Sequence, residues 1–230
     1  MLLAEDLLLL VTNDATGRLS VSRELVDAGL GGANLVELTL RGQVDVSGDQ
    51  DPGRRGRIIV RDPSPPGDEV LDAALKTLVK RQGRKPSAVI GPLGKKLRRV
   101  LYQRLAARGV LRAERRRVLG IFPVRTWPAA DPSRKAEVRQ HVTQALVDAA
   151  TPDERTAALI ALLHALKCEH KVVNPRSYQL SRRQLRKRAA EIARGNWACE
   201  AVRKAINEEI AAGVVVVMGA ASGAAVGFSR

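Results

Sequence analysis

The stretch GKKLRRVLYQRLAARGVLRAERRR, residues 94–117, carries ten Lys and Arg and a single carboxylate, Glu114. Its reading decides the fold. Up to Arg108 the apolar residues recur at helical spacing and Gly109 supplies a stop, so the pattern predicts a helix from about Pro92 to Arg108. At ~100° per residue, Lys95, Arg98, Arg99 and Tyr102 share one face, and Leu97, Val100, Leu101 and Leu105 the other. Beyond Gly109, VLRAERRRVLGIFPVRTWP reads as a hairpin, polar near its start and apolar after it. A basic helix followed at once by a hairpin therefore occupies the middle of the chain.

Working outward, the pattern is mostly helical. MLLAEDLLLLVT reads as a short amphipathic helix closed by the NDATG turn, and LGGANLVELTL as a helix ending at Arg41-Gly42. QVDVS and RIIV, separated by the turn-rich GDQDPGRRG, form a hairpin. GDEVLDAALKTLVKRQ follows a Pro-rich connector as a helix, with acids in its first turn and bases in its last. DPSRKAEVRQHVTQALVDA, TPDERTAALIALLHAL (with a capping box at Thr151 and Glu154), LSRRQLRKRAAEIARG and NWACEAVRKAINEEIAAG complete the helices. The expected fold is mainly α: a single compact helical domain over residues 1–230, a bundle ringed by amphipathic helices, with one or two β-hairpins.

The charge balance narrows the partners. There are 39 Lys plus Arg against 24 Asp plus Glu in 230 residues, a formal net charge of +15. Such an excess attracts polyanions, whether a lipid surface, a nucleic acid or acidic proteins. The first twelve residues contain Glu5 and Asp6 and lack a basic leader, so they fit neither a signal peptide nor a spanning helix. GVVVVMGAASGAAVG near the other end is shorter than the ~20 residues a spanning helix needs, and reads as a buried strand or packed tail. Cys168 and Cys199 suit a reducing compartment better than a disulfide framework. The chain carries no nucleophile elbow, Walker loop or dinucleotide fingerprint, and Glu208 and Glu209 point to different sides of a helix. No catalytic residue, cofactor or metal is expected; His164, Cys168 and His170 in HALKCEH match no standard zinc spacing.

In order, LLAEDLLLLVTNDATGRL, GLGGANLVELTLRGQV, LDAALK and the basic helix ending in LAARGVL with a hairpin behind it resemble the Golgi phosphoprotein 3 family, in its bacterial, actinobacterial-type branch. The resemblance covers nearly the whole chain. It implies a mainly helical, non-enzymatic domain on the cytoplasmic face of a membrane, bound peripherally; in a eukaryote that membrane would be the Golgi. Eukaryotic members bind phosphatidylinositol 4-phosphate and act as adaptors for glycosyltransferase cargo. Their head-group pocket uses a Trp, the Arg of a GLRG motif, and two bases three apart on the helix before the hairpin. The last pair falls on Lys95 and Arg98, with Arg99 beside them. The Trp position falls on or near Ser22 and the GLRG Arg on Gly31, so two contacts are replaced. The resemblance thus implies an anionic phospholipid partner, a phosphatidylinositol phosphate or another anionic lipid. It also implies that the hairpin, with Phe122 and Trp127, inserts into the interface or mediates homo-oligomerisation.

Two other uses of the bases compete. A helix, a Gly and a hairpin recur twice, the local pattern of a winged-helix nucleic-acid reader, but no Asn or Gln accompanies the bases on the Lys95 face for base readout. Arg182, Arg183 and Arg186 in SRRQLRKR form a second cluster that reads as ordinary helix surface, with Lys187 and Glu191 paired at i,i+4.

Overall fold

A computed structural model of the chain describes residues 1–118, 122–194, 198–200 and 204, with backbone alone at 116–118 and 122–124. Its described part is mainly helical, with two antiparallel hairpins. Helix α1 (Leu3–Val11) lies at the centre and is buried along its whole length. The short amphipathic helix expected from its sequence is thus buried on its polar side as well. The reason is charge pairing: Glu5 and Asp6, fully buried, meet arginines from later helices, so the polar side of α1 can also face inward. Arg104 and Arg108 reach Glu5 at 3.2 and 3.1 Å. Arg134 and Arg155 both reach Asp6 at 2.9 Å. Buried carboxylates are tolerated where such partners satisfy them.

Helix α2 (Arg23–Leu40) starts seven residues before the expected Leu30, where the Ser22 hydroxyl caps it by accepting the Leu25 N–H. It ends as expected at Arg41, and Gly42 follows at a φ of +71°. Strands β1 (Val44–Val46) and β2 (Ile58–Val60) form the expected first hairpin, Val44 opposite Val60. Helix α3 (Glu69–Val79) is capped by Asp68, whose carboxylate takes the Val70 N–H and two hydrogen bonds from Arg104.

The long helix expected over Pro92 to Arg108 is two helices. Helix α4 (Ser87–Gly94) and helix α5 (Leu97–Ala107) are separated by Lys95 and by Lys96 at a left-handed φ of +64°. The two halves serve different neighbours: α4 lies against α2, while α5 reaches α1 as well. At the α2–α4 crossing the backbones nearly touch. A Cβ at Gly31 would stand 2.2 Å from the Ile90 carbonyl oxygen, and one at Gly94 2.0 Å from that of Asp27. Within α5, Leu97, Leu101 and Leu105 are buried as expected, whereas Tyr102 is buried and Val100 is 42% exposed, each opposite to its expected face.

Gly109, at φ +73°, ends the turn after α5, and strands β3 (Glu114–Val118) and β4 (Phe122–Thr126) pair antiparallel as the second expected hairpin. Helices α6 (Ser133–Val147), α7 (Glu154–Ala165) and α8 (Glu169–Val172) pack on α1, and α9 (Arg182–Ile192) packs on those three. The N-cap of α7 is Asp153, which accepts the Thr156 N–H, rather than Thr151. Ser181 and Gln184 form a reciprocal capping box on α9. The apolar GVVVVMGAASGAAVG lies outside the described residues, as does most of NWACEAVRKAINEEIAAG. Among the described residues no helix is long and apolar enough to cross a membrane.

Candidate anion-binding site

Three segments distant in sequence meet around one open cavity of about 990 Å³. Its first wall is the loop from α1 into α2. Asn13 shapes this loop by accepting the Ala15 and Thr16 N–H groups. Gly17, at φ +62°, then lies so close to the hairpin exit that a Cβ would stand 2.2 Å from the Trp127 nitrogen. Only glycine combines that φ with that approach. The loop is further tied down where the Ala129 N–H donates to the Asp14 carbonyl. Arg18, Ser22 and Arg23 face the cavity from this side.

The second wall is the start of α5, with Arg98, Arg99 and Tyr102, and the third is the hairpin stem, with Arg115, Arg125, Thr126 and Trp127. Tyr102 and Trp127 join these two walls. Their rings stack with centroids 5.1 Å apart and 4° between planes, and the Tyr102 hydroxyl is 2.9 Å from the Thr12 Oγ1 behind the first wall. The floor is thus a rigid buried aromatic pair, and burial holds the Tyr102 hydroxyl above its ordinary pKa, opposed in part by the Thr12 hydrogen bond.

Six arginines line this cavity. Only Arg98 forms an ion pair among the described residues, its Nε lying 3.5 Å from the Asp27 Oδ1. That oxygen accepts no hydrogen bond. Burial raises the Asp27 carboxyl above its usual range, and Arg98 pulls it part of the way back. Arg18, Arg23, Arg99, Arg115 and Arg125 form no ion pair among the described residues, and of these Arg23 acts at longer range on Glu24 and Asp27. Guanidinium groups converging from separate elements on one recess suit a ligand bearing several anionic oxygens, since each planar fork can take two of them.

The cavity gathers some of the expected site residues and leaves others outside. Arg98 and Arg99 line it, as does Ser22. Lys95 does not. The helix break places Lys95 in a separate groove of about 350 Å³ between α3 and the α4–α5 junction, beside Asn34, Glu69 and Val100. Gly31 belongs to the helix crossing rather than to a cavity wall. Trp127 packs into the base of the hairpin at 9% exposure. The backbone of Phe122 belongs to β4, and its side chain lies outside the described residues. Arg18, Arg23, Arg115 and Arg125 were missed by sequence reasoning. Arg23 directly follows Ser22, the N-cap of α2, but nothing local relates it to a hairpin some ninety residues later.

Elsewhere, Arg182 shares a cavity of about 440 Å³ with His170 and Arg176, and burial, then Arg182, holds the His170 imidazole below its ordinary pKa. On α9 the i,i+3 pair Arg188–Glu191, at 3.9 Å, takes the place of the expected Lys187–Glu191 pair. Burial pushes the Cys168 thiol up to about 12. No group of three or more His, Cys, Asp and Glu among the described residues is disposed to hold a metal ion.

Comparison with known proteins extends these observations. The model of the family described as Golgi phosphoprotein 3 (GPP34) matches residues 3–209. Vacuolar protein sorting-associated protein 74 of Eremothecium gossypii is 31% identical over 212 residues, covering 77% of this chain. The chain in turn spans 62% of the length of that relative.

Proposed function

We propose that this chain, which belongs to the Golgi phosphoprotein 3 (GPP34) family, attaches peripherally to membranes by holding phosphorylated lipid head groups in the arginine-lined cavity. The observation that carries this reading is the convergence of six arginines on one recess, where only Arg98 forms an ion pair among the described residues. A head-group phosphate would complete the charge that the protein leaves open. Each basic residue close to an anionic bilayer contributes roughly 1 kcal/mol, so the cavity alone supplies about 4–6 kcal/mol, enough for reversible attachment. Firmer residence needs a second element, and the apolar half of the hairpin around Phe122 fits that role, by insertion or by self-association that multiplies weak contacts.

Phosphatidylinositol 4-phosphate, which the family resemblance implies, is one ligand of the right chemistry; phosphatidylglycerol and cardiolipin are others. The Ser22 and Gly31 replacements remove two of the contacts by which eukaryotic members read the phosphoinositide, while Arg18, Arg23, Arg115 and Arg125 offer charge from other directions. Adaptor activity toward a protein cargo follows from family membership alone.

Co-sedimentation tests the reading. The protein should pellet with vesicles containing phosphatidylglycerol, cardiolipin or phosphatidylinositol 4-phosphate and stay in solution with neutral vesicles. Arg98→Glu/Arg99→Glu should lose most of that binding. Retention by duplex DNA in the same buffer with no binding to any vesicle would contradict the lipid reading and favour a nucleic-acid partner.

A further inference from the structure

Arg115 and Arg125 are directly opposite one another across the second hairpin. Both side chains are exposed, both line the cavity, and neither forms an ion pair among the described residues. Like charges at directly opposed positions destabilise a strand pair. The repulsion therefore acts at the stem of the hairpin, on the side facing the cavity and the Tyr102–Trp127 stack. We propose that this cross-strand arginine pair is a phosphate clamp, and that anion binding in the cavity and formation of the hairpin are thermodynamically coupled. The inference rests on the lipid-head-group reading of the same cavity and adds a regulatory consequence to it.

A phosphate held between the two guanidinium groups removes their repulsion, so the ligand stabilises the paired hairpin. By reciprocity, a well-formed hairpin raises the affinity for the ligand by the same factor. The geometry gives the coupling a rigid relay. Trp127 follows directly after β4 and stacks on Tyr102 of α5, while its N–H donates to the Gly17 carbonyl of the first wall at 3.4 Å. Strand, helix and loop thus meet at one point, and a ligand touching Arg98 or Arg99 on α5 lies over the same floor as one touching Arg125. The hairpin would then be most firmly formed where the cavity is filled, that is, at an anionic surface.

Hydrogen exchange of the β3 and β4 amides, read with soluble inositol 1,4-bisphosphate, tests this without any contribution from membrane insertion. In the parent protein the ligand should slow exchange in β3–β4 as well as in α5. Arg125→Glu, which puts opposite charges across the strands, should slow hairpin exchange in the absence of ligand. The same substitution should weaken inositol 1,4-bisphosphate binding about 10- to 30-fold, the loss and reversal of one to two charge-assisted contacts. Arg115→Lys/Arg125→Lys, which keeps the charges but loses the planar forks, should bind more weakly than the parent but better than Arg125→Glu, and retain the ligand-induced protection. A hairpin that is more protected yet a weaker binder is a sign pattern that simple loss of structure cannot produce. Protection of α5 with unchanged β3–β4 exchange, or Arg125→Glu binding like the parent, would overturn the clamp while leaving the lipid site standing. Absence of any protection together with absence of vesicle binding in the parent would instead remove the underlying reading.

Discussion

Two regions of this protein are rich in arginine, and they differ in what the arginines face. Around α1, Arg104, Arg108, Arg134 and Arg155 close on Glu5, Asp6 and Glu37, carboxylates that are almost wholly buried. Around the cavity, five of six arginines form no ion pair among the described residues. Helix α5 contributes to both regions, Arg98 and Arg99 to the open one and Arg104 and Arg108 to the closed one. A run of positive charge thus divides by partner rather than by position. Arginines whose charge is met inside the fold hold the bundle together; those whose charge is left open are available to a ligand.

The largest effect that would break this comparison concerns position 31. If Gly31 faced the cavity, Gly31→Arg would restore a head-group contact and tighten lipid binding. With a Cβ only 2.2 Å from the Ile90 carbonyl oxygen, the substitution should instead force α2 and α4 apart and cost at least about 3 kcal/mol, visible in urea denaturation. Next comes Asp6→Ala, which leaves Arg134 and Arg155 without their shared partner. Because those arginines are 29% and 35% exposed, the usual penalty for breaking a buried pair is reduced by solvent, to about 2–4 kcal/mol. The folded fraction should still bind vesicles normally. Arg98→Glu/Arg99→Glu should show the opposite profile, with binding reduced more than about tenfold and stability lowered by only about 1 kcal/mol, from the loss of the partly exposed Arg98–Asp27 pair.

Asp27 sharpens the boundary between the two regions, since among the described residues it is the one carboxylate in an ion pair with a cavity arginine. Asp27→Asn should free Arg98 and tighten vesicle binding about two- to threefold, in keeping with a partly exposed pair. The pH dependence follows from the raised carboxyl. A group that binds its proton more tightly when folded lowers stability above its folded pKa, and that cost disappears as pH falls through it. Protonation also releases Arg98, so the difference in affinity between parent and Asp27→Asn should close as pH falls through the Asp27 pKa, which burial holds above its ordinary value. The smallest effect belongs to Lys95. Lying in the separate groove, it adds only to the general field, and Lys95→Ala should change binding by less than about twofold.

Most of the elements were legible in the sequence because their signals are local. Asp68 announced α3, Arg41-Gly42 ended α2, and the alternation around the GDQDPGRRG turn specified the first hairpin. What failed was whatever depended on a distant partner. Glu5 and Asp6 marked α1 as amphipathic because the arginines that neutralise them lie about a hundred residues away or more. The break at Lys95–Lys96 was hidden because the residues of α4 and α5 share one helical period, while the reason for the break, close packing of Gly31 and Gly94 at the α2–α4 crossing, is tertiary. Arg98 and Arg99 were found because a helix face displays them together. Arg18, Arg23, Arg115 and Arg125 were missed because only the folded chain brings the first loop to the hairpin stem.

The central claim is that the open arginines hold lipid phosphate and the closed ones hold the fold. Vesicle co-sedimentation of Arg98→Glu/Arg99→Glu, with its denaturation midpoint measured on the same preparation, tests it most directly. The account predicts a protein whose stability stays within about 1 kcal/mol of the parent and which no longer pellets with phosphatidylinositol 4-phosphate, phosphatidylglycerol or cardiolipin vesicles. A variant that unfolds like the parent and pellets like the parent would contradict it.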